Sequence, residues 1–542
     1  MTDGHRTRRV WVGGERCTVR WEGEVGDTGH WLGVEWDREG RGKHDGEHQG
    51  TRYFTPVRQG GNCSFIRESK VTVPGVGLLE AVVSKYGEVE GSLAGVEQRG
   101  IDELQAEIGA RFVEVVGLDK VNKQQSQVKQ LRTVSVRRMG VRGGETCDLG
   151  AELPSLRDLD LSDTLVTHWT ELATIITNLK LDTVDLSGNL IDISSLSDST
   201  PTMPTLKHLI LGNMLYSGYT WSNILSVVSK TPSLTILQVH NNNLTDIPAF
   251  DITVLKNVTE IDLDGNNISD WSSVDSLSQL PNLQHLRLNG NKLSSITIRP
   301  GTFSRLESLQ LTDNSINSWR DVGQLDKLNL SQLRFRNNPI ISSCKDEEVA
   351  RQMTIARISS LKTLNASIIN SSERRWAEID YLKTFGQEWI EISKLENVDQ
   401  KASALSEFLD NYNRYDKIVE VYGEPEPGDG AKVDTSIKAS LLRLKIRSPD
   451  IIGSAETVKK IPSSMNVRSL RSLLQRLYKS QSGGKKLRIS LLSSNTPSKE
   501  ETEVEIDNDM REISFYSVSE GDTLLVRWSD QSSTAAPIVT DL

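Results

Sequence analysis

Five consecutive residues near the amino-terminal end, Gly42-Lys43-His44-Asp45-Gly46, have the types and spacing to bind a carboxylate. A terminal carboxylate needs a cation, backbone N–H donors and room for close approach, and Lys43 supplies the cation. Gly42 and Gly46 supply the room because they carry no Cβ. The pattern therefore predicts an anion-binding loop, although Lys43 taken alone could equally be a solvated turn residue.

The rest of the chain carries few signs of other chemistry. Its four cysteines form no Cys-x-x-Cys pair and have no histidine cluster nearby, which argues against a zinc site and a disulfide framework: Cys17, Cys63, Cys147 and Cys344. The Gly-Gly-Lys run at 483–485 lacks the Ser or Thr of a phosphate-binding loop. No nucleophile–base motif is visible. We therefore expect a protein that is not an enzyme and that needs no metal and no cofactor.

Length and charge limit the partners. A chain of 542 residues is too long for one hydrophobic core, so a modular protein is expected. The formal net charge of -10 argues against a general nucleic-acid surface. No apolar run is long enough to span a bilayer, and the first residues lack the apolar segment of a signal peptide. We expect a soluble cytosolic protein that binds neither nucleic acid nor membrane.

Short β-type runs rich in Gly and Trp surround the loop and predict a small barrel between about residues 10 and 73, namely CTVRWEG, WLGVEWD and TRYFTPV. The segment GHWLGVEWDREGRGKHDGEHQGTRYF, followed by GGNCSFIR, resembles the CAP-Gly family of SH3-like β-barrels. This resemblance implies binding of acidic C-terminal tails that end in an aromatic residue, above all the Glu-Glu-Tyr end of α-tubulin. It implies that the loop from Gly42 to Gly46 clamps the peptide end and that Lys43 meets its carboxylate charge.

The same resemblance assigns further site residues. Trp31 and Phe65 would wall an aromatic pocket, and Arg67 would be a second cation that reaches an acidic side chain. Trp31 and Phe65 could instead be barrel core. The chain departs from the usual family pattern at three positions, where it has His44 in place of Asn, Cys17 in place of Gly and Gly26 in place of an aromatic residue. The form Gly-Lys-His-Asp-Gly resembles the folding-cofactor branch of the family.

The middle of the chain repeats a leucine-rich pattern. From Leu156 to Asn338 the motif L-x-x-L-x-L-x-x-N returns, as in LQVHNNN, IDLDGNN, LRLNGNK and LQLTDNS. Its asparagine position recurs at steps of 25, 25, 28, 24, 25, 23 and 24 residues: Thr164, Asn189, Met214, Asn242, Asn266, Asn291, Asn314 and Asn338. The spacing predicts a solenoid whose leucines point inward and whose asparagines satisfy backbone groups at each turn, with irregular turns at Thr164 and Met214.

Charged residues lie between the leucines of the predicted strands, where alternation places them on the concave face. The early strands carry Asp158, Asp160 and Asp185. They are followed by an acidic run and a basic run: Glu260, Asp262 and Asp264, then Arg287, Arg334 and Arg336. We expect these two runs to bind a macromolecule, with the folded body of tubulin as the candidate, although a charged concave face can also be merely solvated.

The C-terminal part begins after the stretch GEPEPGDGAK, whose Pro and Gly content suits a hinge. Beyond it, SLLRLKIRS, TVKKIPSS, a helix at 466–479, KKLRISLL and DTLLVRWSD give the order strand, strand, helix, strand, strand. This order resembles a ubiquitin-like β-grasp. The helix has Val467, Leu470, Leu473, Leu474 and Leu477 on one stripe, which would lie across the sheet.

These patterns predict a multidomain chain of α/β and β folds, divided into seven segments. They are a CAP-Gly domain at 1–78, a connecting segment and N-terminal cap of the solenoid at 79–149, leucine-rich repeats at 150–345, a C-terminal repeat cap with helices at 346–420, a linker at 421–436, a ubiquitin-like domain at 437–530 and a disordered tail at 531–542. The cap is read from ISSLKTLNAS and ERRWAEIDYLKTFG, which predict a final strand and an amphipathic helix.

The order CAP-Gly, leucine-rich repeat and ubiquitin-like domain resembles the tubulin-folding cofactor E family over nearly the whole chain. The resemblance implies a cytoplasmic, cytoskeleton-associated chaperone that binds α-tubulin and the αβ-tubulin heterodimer. It would assemble and dismantle the heterodimer with cofactors of the B, C and D types, and its ubiquitin-like domain makes the proteasome a further candidate partner. The alternative is a CAP-Gly microtubule-associated linker protein, which normally adds a coiled coil, and no sustained heptads are visible.

Overall fold

The structure, a computed structural model, describes residues 8–26, 29–57, 62–73, 75–87, 128–142, 147–214, 219–425, 441–450, 456–478, 486–493, 502–506, 509, 511–516, 518 and 520–529. It divides into two compact units, Met1–Ser294 with Arg299–Ser315, and Ser295–Ile298 with Ile316–Leu542. Most of the expected linker, most of the expected connecting segment and the expected tail lie outside the described residues.

The first unit begins with the predicted barrel. Its strands are β1 Arg8–Val12, β2 Glu15–Glu24, β3 His30–Trp36, β4 Glu47–His48, β5 Thr51–Arg52, β6 Cys63–Ile66 and β7 Val71–Val73, and helix α1 Leu78–Tyr86 follows. Five of them form an antiparallel sheet in the order β6-β3-β2-β1-β7, and β4 and β5 form a separate hairpin. The core consists of small and branched apolar residues with one indole: Val10, Val12, Cys17, Leu32, Val34, Trp36 and Ile66.

Eight short parallel strands follow in the same unit, each one repeat further along the chain. They are β8 Thr133–Ser135, β9 Asp158–Asp160, β10 Thr183–Asp185, β11 His208–Ile210, β12 Ile236–Gln238, β13 Glu260–Asp262, β14 His285–Arg287 and β15 Ser308–Gln310. The helices between them are α2 Leu149–Glu152, α3 Trp169–Leu179, α4 Trp221–Val228 and α5 Trp271–Asp275. The middle residue of every strand is buried, as the inward leucine of the pattern predicts.

The buried asparagines connect successive turns of this solenoid, as predicted. Asn266 Nδ2 donates to the carbonyl oxygens of Val239 at 3.1 Å and Leu263 at 2.8 Å. Its Oδ1 accepts from the backbone N–H groups of Asn242 and Leu244, both at 3.0 Å. One side chain thus satisfies four backbone groups that the turn leaves without strand partners. At Thr164, one of the two irregular positions, the side-chain Oγ1 instead donates to the carbonyl oxygen of Leu161 at 2.8 Å.

The second unit contains the last strands of the repeat pattern and a group of helices. These elements are β16 Gln332–Arg334, β17 Thr363–Leu364, β18 Ser367–Ile368, α6 Trp319–Gln324, α7 Pro339–Ser342, α8 Glu347–Arg357, α9 Ser371–Ser393, α10 Val398–Asn411 and α11 Tyr415–Tyr422. Helix α9 contains the predicted amphipathic segment, and α10 lies within 346–420, where further cap helices are expected. The sequence did not signal α8 or α11 individually.

The ubiquitin-like fold is present in the second unit. Strands β19 Leu441–Arg447, β20 Thr457–Pro462, β21 Lys486–Ser493, β22 Thr502–Glu505 and β23 Thr523–Ser529 form one sheet in the order β20-β19-β23-β21-β22, with helix α12 Val467–Leu477 packed on it. The sequence interpretation missed β22, because the run Thr-Glu-Val-Glu carries too few apolar residues to indicate a strand.

The core of this domain also contains a residue from the cap. Trp376 of α9 is 3% exposed within the domain's apolar cluster, and its ring centre lies 6.0 Å from that of Tyr516. Nearby, Arg511 pairs with Glu348 of α8 at 2.6 Å. Helix α9 therefore packs against the ubiquitin-like domain. Among the described helices, none has the length and hydropathy needed to cross a bilayer.

Candidate peptide-binding site

The glycine-bracketed loop of the barrel is fixed to strand β6 by backbone hydrogen bonds. The Lys43 N–H donates to the carbonyl oxygen of Cys63 at 2.7 Å, and the Cys63 N–H donates to that of His44 at 2.9 Å. On the far side, the Tyr53 N–H donates to the Gly46 carbonyl oxygen at 3.0 Å. Because the backbone is held at both ends, the intervening side chains project from a defined position.

Both glycines are required by the space around them. A Cβ on Gly42 would lie 2.1 Å from the backbone of Asn62, and one on Gly46 would lie 2.1 Å from the carbonyl oxygen of Phe54. Gly46 also has φ +92°, a left-handed conformation that glycine adopts at the least cost. The loop therefore packs its backbone directly against the barrel, and the missing side chains make room for Asn62 and Phe54. The room for a ligand that the sequence interpretation assigned to these glycines stays a prediction.

His44 supports the loop as a neutral imidazole. Its Nδ1 accepts a hydrogen bond from the Gly46 N–H at 3.1 Å, which places the proton of the neutral ring on Nε2. The ring stacks on Phe65 with 4.8 Å between ring centres. Burial, with a smaller contribution from the neighbouring His48, lowers the pKa of His44 below its usual value. His44 therefore positions the loop and keeps one N–H donor.

The charges around the loop are only partly paired. Asp45 accepts from Arg52 Nη2 at 2.7 Å, and this hydrogen bond is the main cause that lowers the pKa of the Asp45 carboxyl. Lys43 is exposed, and among the described residues no carboxylate lies within ion-pair distance of its ammonium group. The loop thus presents one cation that is available to a ligand.

Phe65 lies at the centre of an aromatic cluster beside the loop. Its nearest ring neighbours, at centre-to-centre distances of 4.8 to 6.1 Å, are His44, Tyr53, Trp21, Phe54 and His48. In the sheet, Trp21 and Phe65 both lie opposite Gly33, on its two sides. Phe65 is half-buried, so the cluster forms an apolar floor next to Lys43.

Trp31 is placed differently from the sequence interpretation. The guanidinium carbon of Arg67 lies 3.9 Å from the centre of its ring, and Arg67 Nη1 donates to the carbonyl oxygen of His30 at 2.7 Å. Trp31 lies two residues before Gly33 on β3, so it projects from the same sheet face as Phe65. Nevertheless, the rings next to Phe65 belong to the five residues named above and not to Trp31.

The sequence interpretation missed Trp21, Tyr53 and His48 as parts of the site. Tyr53 lies in the TRYFTPV run and His48 in the EHQ turn, and neither has a spacing that indicates a pocket. Trp21 follows a β-bulge, since Val19 pairs with Val34 whereas Trp21 pairs with Gly33. Such a bulge moves a side chain to the opposite sheet face, and residue types alone do not predict it.

His44 leads to a prediction on pH. Because its pKa is lowered in the folded protein, the unfolded chain takes up the proton first as the pH falls. The stability that neutral His44 contributes is present above pH about 6.5 and is lost as the pH falls through the lower folded value. We expect the thermal unfolding midpoint of the wild type to fall more steeply between neutral and mildly acidic pH than that of His44→Asn. Parallel pH profiles would contradict this role.

Of the predicted concave residues, three form one internal ion cluster. Arg287 contacts Asp262 at 3.4 Å and Asp264 at 3.0 Å. Asp262 is 3% exposed, and burial raises the pKa of its carboxyl. Arg287 therefore does not belong to a separate basic run, because the strand ladder places it directly beside Asp262. This pairing could have been predicted from the sequence, since Asp262 and Arg287 occupy the same strand position one repeat apart.

Of the other predicted concave residues, the three early aspartates accept hydrogen bonds, and the remaining three are half-buried or exposed. Asp160 and Asp185 accept from the backbone N–H groups two residues on, Ser162 at 2.9 Å and Ser187 at 2.8 Å, so they close the ends of their strands. Asp158 accepts from Thr133 Oγ1 at 3.2 Å. Glu260 is half-buried, and Arg334 and Arg336 are exposed.

The cysteines of the barrel lie in its interior. Burial raises the pKa of both Cys17 and Cys63 to about 12, so these thiols pack as apolar groups and are poor nucleophiles at neutral pH. Within the described ranges, no group of three or more His, Cys, Asp or Glu side chains is arranged to hold a metal ion.

Comparisons with known proteins agree with this architecture. The CAP-Gly domain family matches residues 4–71, and the leucine rich repeat family matches residues 232–293. The chain is 39% identical to tubulin-specific chaperone E of Bos taurus over 537 residues, covering 96% of this chain and 98% of that protein, and 37% identical to the Homo sapiens protein with the same coverage. The solution structure of the C-terminal ubiquitin-like domain of mouse tubulin-specific chaperone e is 38% identical, covers 18% of this chain and 98% of that one, and gives a TM-score of 0.16. At this identity over nearly the full length, the chain belongs to the tubulin-specific chaperone E family.

Proposed function

We propose that this protein is a tubulin-folding cofactor whose barrel captures the acidic C-terminal tail of α-tubulin. The observation that carries the proposal is the available Lys43 ammonium, held by an anchored glycine loop beside the Phe65 cluster. A tail ending in Glu-Glu-Tyr supplies the matching groups, which are carboxylates for Lys43 and a ring for the aromatic floor. The relatives' name, tubulin-specific chaperone, supports the same partner.

Within this site we assign each residue a role. Gly42 and Gly46 let the loop backbone pack against Asn62 and Phe54, which fixes the position of Lys43. His44 and Asp45 hold the loop through Gly46 and Arg52. Phe65 receives the terminal ring together with Trp21 and Tyr53. Arg67, stacked on Trp31, is the second cation and faces acidic side chains upstream of the last residue.

The leucine-rich repeat is the proposed contact for the folded body of tubulin, since extended concave surfaces of this type hold macromolecules. Glu260, Arg334 and Arg336 are the candidate contacts. Asp262, Asp264 and Arg287 shape the face through their ion pairs and add local negative charge. A tail clamp alone could not distinguish or remodel a folded subunit, so a second contact is needed.

Assembly and disassembly of the αβ-heterodimer with cofactors of the B, C and D types follows from this proposal, as does a cytoplasmic, cytoskeleton-associated location. No covalent step is involved, so the protein acts as an adaptor and needs no cofactor. The alternative, a CAP-Gly linker protein, would decorate the microtubule polymer and would leave the heterodimer intact.

Removal of the terminal tyrosine tests the tail site. A peptide ending in Glu-Glu should bind the full chain at least roughly tenfold more weakly than one ending in Glu-Glu-Tyr, because it loses about 1.5 kcal/mol or more of apolar burial. Isothermal titration calorimetry measures both affinities. An amidated Glu-Glu-Tyr peptide serves as the control for the terminal carboxylate and should also bind poorly. Equal affinity of all three peptides would remove the barrel from the proposed function.

A further inference from the structure

The outer face of the ubiquitin-like sheet is strongly cationic along its first hairpin. On β19, Leu444 and Ile446 are buried and the alternating residues Arg443, Lys445 and Arg447 are exposed. On β20, Lys460 lies directly opposite Arg443, and Val458 lies opposite Lys445. Facing residues of an antiparallel pair share a sheet face, so these five residues form one surface, here called the hairpin face.

The neighbouring half of the same sheet face is electrically balanced. Arg488 of β21 pairs with Glu505 at 3.1 Å, and Arg527 of β23 pairs with Glu503 at 2.8 Å. The first pair joins β21 to β22 and the second joins β23 to β22, so each of the two cations has a carboxylate beside it. In this half of the face, carboxylates of the sheet itself therefore neutralise both arginines.

The hairpin face lacks such a balance. Within the part of the chain that the structure describes, one carboxylate pairs with this face: Glu520 contacts Arg443 at 2.5 Å, and the charge of Lys460 acts on Glu520 only at longer range. Among the described residues, Lys445, Arg447 and Lys460 have no carboxylate at ion-pair distance. Like charges on one sheet face repel, so this arrangement costs stability and is best satisfied by an external anion.

Among the described strands of this sheet, β20 pairs with β19 alone and forms the edge. The backbone next to these charges therefore has an open side within the described part of the domain. Val458 is 57% exposed at this edge, directly beside the cations. Edge lysines are a common protection against unwanted pairing, but Lys445 and Arg447 lie on the interior strand β19, where no edge needs protection. Protection of the edge therefore explains Lys460 at most, and it does not explain the cations on β19.

We propose that the hairpin face is a docking site for an extended acidic segment of a partner protein, which adds to β20 as a further strand. Its carboxylates meet Lys445, Arg447 and Lys460, and an apolar side chain covers Val458. A protein segment fits better than a nucleic acid, because the face has no aromatic ring for base stacking. It fits better than a membrane surface, because Val458 is the one apolar residue of the face.

The probe is a fluorescein-labelled, C-terminally amidated peptide of alternating Glu and Val. Its peptide part has neither a free carboxyl end nor an aromatic residue, and competition by the same peptide without label excludes binding of the aromatic, carboxylate-bearing label at the tail site of the barrel. Fluorescence anisotropy with the full chain should give binding that weakens as salt is added. Lys445→Glu/Lys460→Glu should weaken binding by about tenfold or more, and Lys445→Gln/Lys460→Gln should give a smaller loss in the same direction.

The matched control is Arg468→Glu/Arg476→Glu on exposed positions of α12, which changes the net charge equally and should alter affinity by less than about twofold. Thermal unfolding midpoints establish that each variant is folded. Equal affinity of the wild type and both hairpin-face variants would overturn the proposal, as would tighter binding of anionic phospholipid vesicles or single-stranded RNA. Binding of the Glu-Glu-Tyr peptide should stay unchanged in every hairpin-face variant, so failure here is distinguishable from failure of the tail site.

Discussion

Replacement of Lys43 by alanine should weaken binding of a peptide ending in Glu-Glu-Tyr by about 1.5–3 kcal/mol, which is roughly ten- to a hundredfold in Kd. The reason is that Lys43 is the exposed cation of a loop whose backbone is already fixed to β6, so the variant loses a charge-assisted hydrogen bond without a change in the barrel core. Isothermal titration calorimetry on the full chain gives the value directly.

The matched control is Lys70→Ala, an exposed lysine of the same barrel that lies outside the loop. It should bind the peptide as the wild type does. If Lys43→Ala kept wild-type affinity while remaining folded, the carboxylate would have to bind elsewhere, and the assignment of the loop would be wrong.

Charge reversal on the repeat should separate the grip on the tubulin body from the capture of its tail. In Arg334→Glu/Arg336→Glu, two exposed cations at the end of β16 become repulsive toward any acidic partner surface. We expect dissociation of the αβ-heterodimer, followed by size-exclusion chromatography, to slow by about tenfold, since complementary charges govern orientation and association rate. Affinity for the tail peptide should be unchanged.

The control for this variant is Lys394→Glu/Lys417→Glu, which makes the same change of charge at exposed lysines of the cap helices. It should dissociate the heterodimer normally. Full activity in Arg334→Glu/Arg336→Glu would exclude these two arginines from the mechanism, and loss of peptide binding as well would indicate a misfolded chain.

The solenoid could be predicted closely because its rules are local and repeated. The asparagines bind equivalent backbone groups in successive turns. Their regular spacing from Asn242 to Asn338 is therefore enough to predict the repeat. The loop around Lys43 was predictable for a similar reason, since its glycines and its cation are contiguous. Features that depend on one short stretch of chain were therefore recoverable.

Features that depend on register or on distant packing were not recoverable. The bulge between Val19 and Trp21 places Trp21 beside Phe65, where the sequence interpretation had expected Trp31. The insertion of Trp376 into the core of the ubiquitin-like domain has no local signal, because a tryptophan on an amphipathic helix is compatible with many partners. Strand β22 was missed because polar residues dominate it. It forms by pairing with β21, and its composition does not indicate that pairing.

We propose that the barrel holds the tail of tubulin while the repeat binds its folded body, and a comparison of intact with tail-less tubulin tests both contacts together. The full chain is mixed with αβ-tubulin, either intact or with the C-terminal tails removed by limited proteolysis, and the products are separated by size-exclusion chromatography. We expect a complex of the chain with α-tubulin from intact tubulin, a weaker but detectable complex from tail-less tubulin, and the same weakening for Lys43→Ala with intact tubulin. Equal yields from both forms of tubulin, or binding to microtubules without any release of α-tubulin, would contradict it.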